Sequence, residues 1–281
     1  MKLYIKIFIY ALLGVIVASC DLQKEVDLEL PDYEPQVVVE AYLTPGQPYI
    51  VSLIQSVPYY DEIRISYIKD AEVTIRYQDK EVKLVRFEVA IPDTSVASSQ
   101  LNSIVGDTIY TYIALEQVPE IYYEDFKLEI TRPNGEIITS TTQIFPPVMI
   151  DTMEYKFNKD SLAFVLTKFQ DDSSTANFYR ITLHENDIRN RPDQDFSIDD
   201  VLTNGELLTF GTAYEYEKGD TLIRTVYHIT EDYHRFLETS DAAINANLSP
   251  FGQPATLYTN VTGGLGIFTG ITSDRMTIVI E

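Results

Sequence analysis

From Gln36 onward apolar and polar residues alternate with a period of two, the spacing at which a β-strand sends successive side chains to opposite faces. The first run, Val37-Val38-Val39-Glu40-Ala41-Tyr42-Leu43, stops at the turn Thr44-Pro45-Gly46, and a second runs from Tyr49 to Gln55. Further strands are predicted over 71–77, with Val73, Ile75 and Tyr77 on one face, and over 81–89, 108–115 and 126–131, where Leu128 and Ile130 alternate with charges. Asn134-Gly135 makes a hairpin turn, and the returning strand covers 136–145. This spacing of strands and turns is that of an antiparallel sandwich, Ig-like or fibronectin-like. Two segments break the pattern, Pro58 to Lys69, rich in tyrosine, and Pro92 to Gly106, rich in serine. Both are expected to be long loops, the kind of segment that carries function.

Phe145-Pro146-Pro147 ends this first domain (36–146), because consecutive prolines interrupt a ladder and force extended backbone before them. A second β domain (147–281) is predicted from strands at 151–157, 162–169, 177–185, 206–212, 221–229, 255–261, 265–270 and 275–280. One amphipathic helix, 230–248, interrupts them. Thr230 is its N-cap, Glu231 and Asp232 fill the first turn, and Tyr233, Phe236, Leu237, Ile244 and Leu248 form one stripe until Pro250. The expected fold class is therefore mainly β, with two antiparallel sandwich-like domains.

The beginning of the chain follows a different logic. Lys2 and Lys6 precede an apolar run from Ile7 to Val17, then Ala18, Ser19 and Cys20, the only cysteine. That run is about half of the roughly 20 residues a bilayer-spanning helix needs, so it reads as a secretory signal, residues 1–19. Val17-Ala18-Ser19-Cys20 resembles a bacterial lipobox, which implies cleavage after Ser19 and acylation of Cys20, palmitate among the attached chains. A lone cysteine has no intramolecular disulfide partner, and acylation removes an exposed thiol from an oxidising compartment. Two or three acyl chains make such anchoring effectively permanent. Residues 20–35 are acidic and punctuated by Pro31 and Pro35, and read as an extended tether.

The chain has 281 residues, 21 basic against 43 acidic, and a net charge of −22. Lys2 and Lys6 leave with the signal, so the remainder is more acidic still. A surface of this sign is repelled by phosphate backbones and anionic headgroups, which excludes nucleic acid as a natural partner.

Few motifs carry chemistry. Gly263-Gly264-Leu265-Gly266-Ile267-Phe268-Thr269-Gly270 lacks the strand, helix and βαβ unit a nucleotide loop needs, and reads as a tight glycine turn beside a strand. Asp193, Asp195 and Asp199, with Ser197 between the last two, place oxygen ligands at alternating positions that a calcium loop could use. Ile198, however, stands where an EF-hand needs glycine and Asn204 where it needs glutamate, so a solvated acidic loop is the expectation. His184, His228 and His234 show no metal-helix spacing, and there is no Gly-x-Ser-x-Gly elbow. No cofactor motif and no catalytic residue emerge, although a triad assembled from distant residues would be recognised only by geometry. Tyr59 and Tyr60, in the first long loop, are the candidate ligand-binding residues.

The ordered cues Val37-Val38-Val39-Glu40-Ala41-Tyr42-Leu43, Asp70-Ala71-Glu72-Val73-Thr74-Ile75, Pro146-Pro147, Pro250-Phe251, Tyr258-Thr259-Asn260-Val261 and Gly264-Leu265-Gly266-Ile267-Phe268 resemble a family of Bacteroidota outer-membrane lipoproteins. That family is catalogued as a domain of unknown function and often encoded beside TonB-dependent receptors. The resemblance implies an outer-membrane, lipid-anchored location, on the cell surface or the periplasmic face. It also implies a non-enzymatic binding or accessory role with a TonB-dependent receptor or transporter, and supplies no active site. An adhesion or structural envelope protein and an unrecognised envelope hydrolase are the competing classes.

Overall fold

In a computed structural model, residues 33–58, 64–90, 108–247 and 256–281 are described. Cys20 and the tether before Tyr33 lie outside them, as do Tyr59, Tyr60 and residues 91–107. The first half of the chain builds β1 (Val37–Leu43), β2 (Pro48–Gln55), β3 (Ser66–Tyr67), β4 (Glu72–Tyr77), β5 (Lys80–Ala90), β6 (Thr108–Gln117), β7 (Asp125–Thr131) and β8 (Ile137–Gln143). The alternation decides what each buries. Val37, Val39, Ala41 and Leu43 point inward, as do Val73, Ile75 and Tyr77 on β4 and Phe126, Leu128 and Ile130 on β7. At the Asn134-Gly135 turn Gly135 takes φ 86°, and Asn134 Oδ1 accepts the Glu136 N–H at 3.0 Å. Both are the local chemistry a tight reversal needs.

The second half supplies β9 (Ile150–Phe157), β10 (Ala163–Gln170), β11 (Phe178–Glu185), β12 (Gln194–Asp199), β13 (Leu207–Gly211), β14 (Thr221–Ile229), the helix α1 (Glu231–Asn247) and β15 (Leu265–Val279). The strands form a 12-stranded sheet of order β12-β11-β14-β15-β1-β2-β6-β5-β4-β7-β8, with β3 beside β2, and a 3-stranded sheet β13-β10-β9. The fold is mainly β and sandwich-like, as the alternation predicts. Between the two layers of the second half lie Ile150, Phe169, Tyr179, Ile181 and Val226 in one cluster, and Ala163, Val165, Leu183, Leu222 and Ile280 in another.

β15 ties the halves together. It runs parallel to β1, with Val38 opposite Leu265 and Leu43 opposite Gly270, and antiparallel to β14, with Ile229 opposite Ile271 and Thr221 opposite Val279. Segments 265–270 and 275–280 are thus one long strand and not two. The core of the first half takes in Val261 and Phe268 from this region. The expected domain boundary at 146/147 accordingly falls inside one compact unit, Pro35–Glu281. The prolines separate hydrophobic clusters, but the sheet passes from one half to the other.

Two further segments differ from the alternation-based expectation. Residues 256–261 are not a strand, and their neighbour Thr262 makes only an isolated bridge to Thr139. Asn260 replaces ladder bonds with its side chain: Nδ2 donates to the Phe268 carbonyl at 2.8 Å, and Oδ1 accepts the Phe268 N–H at 3.0 Å. The acidic segment expected as a loop at 193–200 contains strand β12, paired to β11. α1 begins as predicted, Thr230 Oγ1 accepting the Tyr233 N–H at 3.2 Å. Tyr233, Phe236 and Leu237 pack with Ile229 and Ile267, whereas Ile244 is solvent-exposed and the stripe ends before it.

Candidate functional site

β5 changes the phase of its own pattern. Val82 and Leu84 point into the core, and the next apolar residues are Val85, Phe87 and Val89. A one-residue slip in a period-two pattern sends an apolar set to the opposite face, so these three face outward, 66%, 49% and 44% exposed. β6 pairs with them, placing Ile113 opposite Val85, Thr111 opposite Phe87 and Ile109 opposite Val89. β2 extends the surface by placing Ile50, also exposed, opposite Ile113. The result is a contiguous apolar surface on a projecting two-stranded arm. Scattered exposed apolar residues are ordinary, whereas a contiguous set is the kind of surface that binding sites use.

The reverse side of the arm is polar and braced. Arg86 donates from Nη1 to the Lys69 carbonyl at 3.0 Å and pairs with Glu88 at 3.1 Å. Lys69 Nζ sits 3.8 Å from the centre of the Tyr110 ring, and Tyr67 packs on that ring at 5.6 Å. At the base, the buried Tyr112 hydroxyl accepts the Ala71 N–H at 3.0 Å and donates to the Ile68 carbonyl at 3.1 Å. Burial pushes this phenol above its ordinary range, so it stays neutral and keeps donating. The arm is therefore held in place by residues 67–71, a support that conformational entropy would otherwise oppose.

β3 pairs with the end of β2, Ile54 opposite Tyr67, and Ala90 opposite Thr108 closes the described part of the arm. The chain on either side of 59–63 and of 91–107 therefore leaves from the same end of the sheet, next to the apolar surface. The candidate residues Tyr59 and Tyr60 belong to the first of these stretches, outside the described residues.

The carboxylates singled out as calcium candidates lie along β12 and its approach and do not converge. Asp195 grips Arg180 in a two-pronged pair, Nε and Nη2 each at 2.7 Å. Asp199 accepts the Val201 N–H at 3.3 Å, and Asp193 is exposed. Among the described residues no group of three or more metal-binding side chains comes together. The glycine-rich segment is a packing device. A Cβ on Gly270 would lie 2.3 Å from the Gln143 carbonyl oxygen, so these glycines let β15 approach its neighbours at backbone distance.

A constellation that spacing does not reveal joins β12 to α1. Ser197 Oγ and His234 Nδ1 are 2.9 Å apart, and His234 Nε2 faces Glu238 at 3.7 Å. Beside it is a polar cleft of about 370 Å³ lined in part by Arg180, Arg191, Asp195, Ser197 and Leu237. A hydroxyl within reach of an imidazole meets the first requirement of nucleophilic catalysis. Ser197 nonetheless stands mid-strand, away from any strained turn that would expose its oxygen. The same contact fastens the helix to the edge of the sheet. Only the i, i+4 spacing of His234 and Glu238 could have hinted at it.

Among the described residues no helix is long and apolar enough to cross a membrane. No curated protein matches the chain. A solved structure, "Cytokine receptor complex - Crystal form 1A", aligns over 88% of this chain and 96% of its own at 10% identity and a TM-score of 0.28, a similarity too low to bear on fold or function. Residues 23–277 match the family model described as a domain of unknown function (DUF4249), and the chain belongs to that family.

Proposed function

We propose that this protein is a lipid-anchored binding component of a Bacteroidota outer membrane that docks, without chemistry of its own, onto a TonB-dependent receptor or transporter. Cys20 is the anchor in this reading. The observation that carries it is the outward apolar surface of the β5–β6 arm, Val85, Phe87, Val89, Ile109 and Ile50, on a rigidly braced hairpin. Covering five such side chains contributes on the order of 5 kcal/mol before the costs of association, enough for a specific contact when joined to flanking chain segments and a shared membrane. Affinity purification of the native lipoprotein from outer membranes tests the reading. A receptor barrel is recovered with the unaltered protein and lost with Phe87→Glu and Val89→Asp together, and Tyr59→Ala with Tyr60→Ala reduces the yield. Equal recovery with all of them would contradict the proposed surface. Labelled fatty acid enters the unaltered protein and not Cys20→Ser.

The Ser197, His234 and Glu238 geometry favours a second reading, an envelope hydrolase. A serine-directed fluorophosphonate distinguishes the two: the binding reading expects no label on Ser197, and stoichiometric labelling abolished by His234→Gln supports the hydrolase.

A further inference from the structure

β5 changes partner along its length. Up to Leu84 it pairs with β4, Val73 lying opposite Leu84, and from Val85 to Ala90 it pairs with β6 alone. β4 begins at Glu72, so the two strands part there around a wedge of about 520 Å³ lined in part by Lys69, Glu72, Val85 and Arg86. Among the described residues no strand takes the place of β4 beside 86–90. Alternate residues of that stretch therefore turn their N–H and carbonyl groups to an open edge. The other long edge of the arm leans on β2, whose Val51 carbonyl accepts the Thr111 hydroxyl at 3.1 Å.

An open edge is a template for another strand, and proteins blunt such edges with proline, bulges or charge. Val85-Arg86-Phe87-Glu88-Val89-Ala90 contains no proline, and its ladder with β6 runs without a bulge. Its charges are of opposite sign and its order is self-complementary. When two copies pair antiparallel with Phe87 opposite Phe87, Val85 stands opposite Val89 and Arg86 opposite Glu88, each twice about the two-fold axis. Directly opposed residues share a face, so apolar side chains meet apolar ones and each charge meets its opposite. A one-residue shift would set apolar residues against charged ones, and a two-residue shift would set Glu88 against Glu88 or Arg86 against Arg86. Arg86 and Glu88 lie 3.1 Å apart within one strand, each 48% exposed, and can reach a neighbour without leaving solvent.

We infer that the open edge of β5 pairs with the same edge of a second copy of this chain, antiparallel about Phe87, joining two arms into one ribbon. The pairing uses the edge and leaves the apolar face outward. It therefore enlarges the surface offered to a receptor without depending on that reading. The net charge of −22 on each chain opposes approach at long range, but physiological salt screens it beyond about 8 Å. At contact, the charges that face each other are Arg86 and Glu88.

Disulfide trapping in the full-length protein, purified in detergent with no receptor present, tests this. Residues opposed across an antiparallel pair have Cα atoms about 4.5–5.5 Å apart, within reach of a disulfide. Phe87→Cys should cross-link to itself, whereas Val85→Cys and Val89→Cys should cross-link only when the two are mixed. Glu88→Arg, added to Phe87→Cys, should lower the trapped dimer roughly ten-fold, because both copies then set arginine against Arg86. All four positions are solvent-exposed, so the substitutions leave the core intact. The unaltered protein, with Cys20 alone, sets the background. No dimer from Phe87→Cys above that background, equal yields from Val85→Cys alone and from the mixture, or an unchanged yield with Glu88→Arg would overturn the inference. Since no receptor takes part, each of these results is distinct from a failure of receptor docking.

Discussion

Gly266 and Val39 approach so closely across the parallel β1–β15 pair that a Cβ on Gly266 would stand 1.9 Å from the Val39 carbonyl oxygen. Gly266 also holds φ 108°, a conformation that side chains resist. This contact lies where the C-terminal strand enters the core of the first half, through Val261 and Phe268. Gly266→Ala is predicted to destabilise the protein by about 4 kcal/mol or more, because neither backbone can move without breaking the ladder. Gly46, at φ 77° with open space around it, is the control, and Gly46→Ala should cost only about 1 kcal/mol. Urea unfolding of the two variants measures the contrast.

The same strand makes the halves interdependent. Unfolding of the protein by heat is predicted to show one cooperative transition for Pro35–Glu281, followed by calorimetry. A fragment ending at residue 146 lacks β15, the partner of β1, and with it Phe268. It is expected to unfold at distinctly lower urea than the whole chain, and to regain protection when the 147–281 fragment is added. Two separate transitions, unchanged by cutting at the prolines, would show that the sheet contact contributes little.

His228 sits 3% exposed, stacked on Phe145 at 5.2 Å. Its Nδ1 lies 2.7 Å from the Pro146 carbonyl oxygen. A carbonyl only accepts, so Nδ1 carries a proton, and the neutral ring, which burial favours, is the Nδ1–H tautomer. Burial lowers its pKa below the ordinary 6.5, against the pull of the Pro146 carbonyl and of Asp171, Asp172 and Asp200. A depressed value means that the stability is fully present above the ordinary pKa and is lost as pH falls through the folded-state value. The urea midpoint should therefore fall between about pH 7 and pH 5, and fall less in His228→Gln, whose amide keeps a donor for Pro146. An equal fall in both proteins would assign the acid sensitivity to the carboxylates alone.

Much of this architecture was legible from alternation and turn chemistry. Val37 to Leu43, the Asn134-Gly135 reversal and the Thr230 cap behave as their local physics requires, because each is decided by residues adjacent in the chain. β12 was hidden by its charge: Phe196 and Ile198 alternate with Asp195, Ser197 and Asp199, but the acids made the run look solvated. The outward apolar face of the β5–β6 arm has its signal in a shift of phase between Leu84 and Val85, which the reading of 81–89 as one strand passed over. The parallel partnership of β1 and β15 had no local signal, since register between distant segments is set by packing of the whole. The burial of Arg224 was equally silent, because nothing in Ile223-Arg224-Thr225 announces that the arginine of β14 will be fully buried.

The central claim is that the outward face of the β5–β6 arm is a docking surface for an outer-membrane receptor. A photoreactive phenylalanine analogue placed at Phe87 in intact cells interrogates it directly, with the same analogue at Lys127, on β7 away from the apolar patch, as the control. Irradiation is predicted to join the Phe87 position to one β-barrel receptor and to leave Lys127 without that adduct. No adduct at Phe87, or the same mixture of products at both positions, would contradict the account.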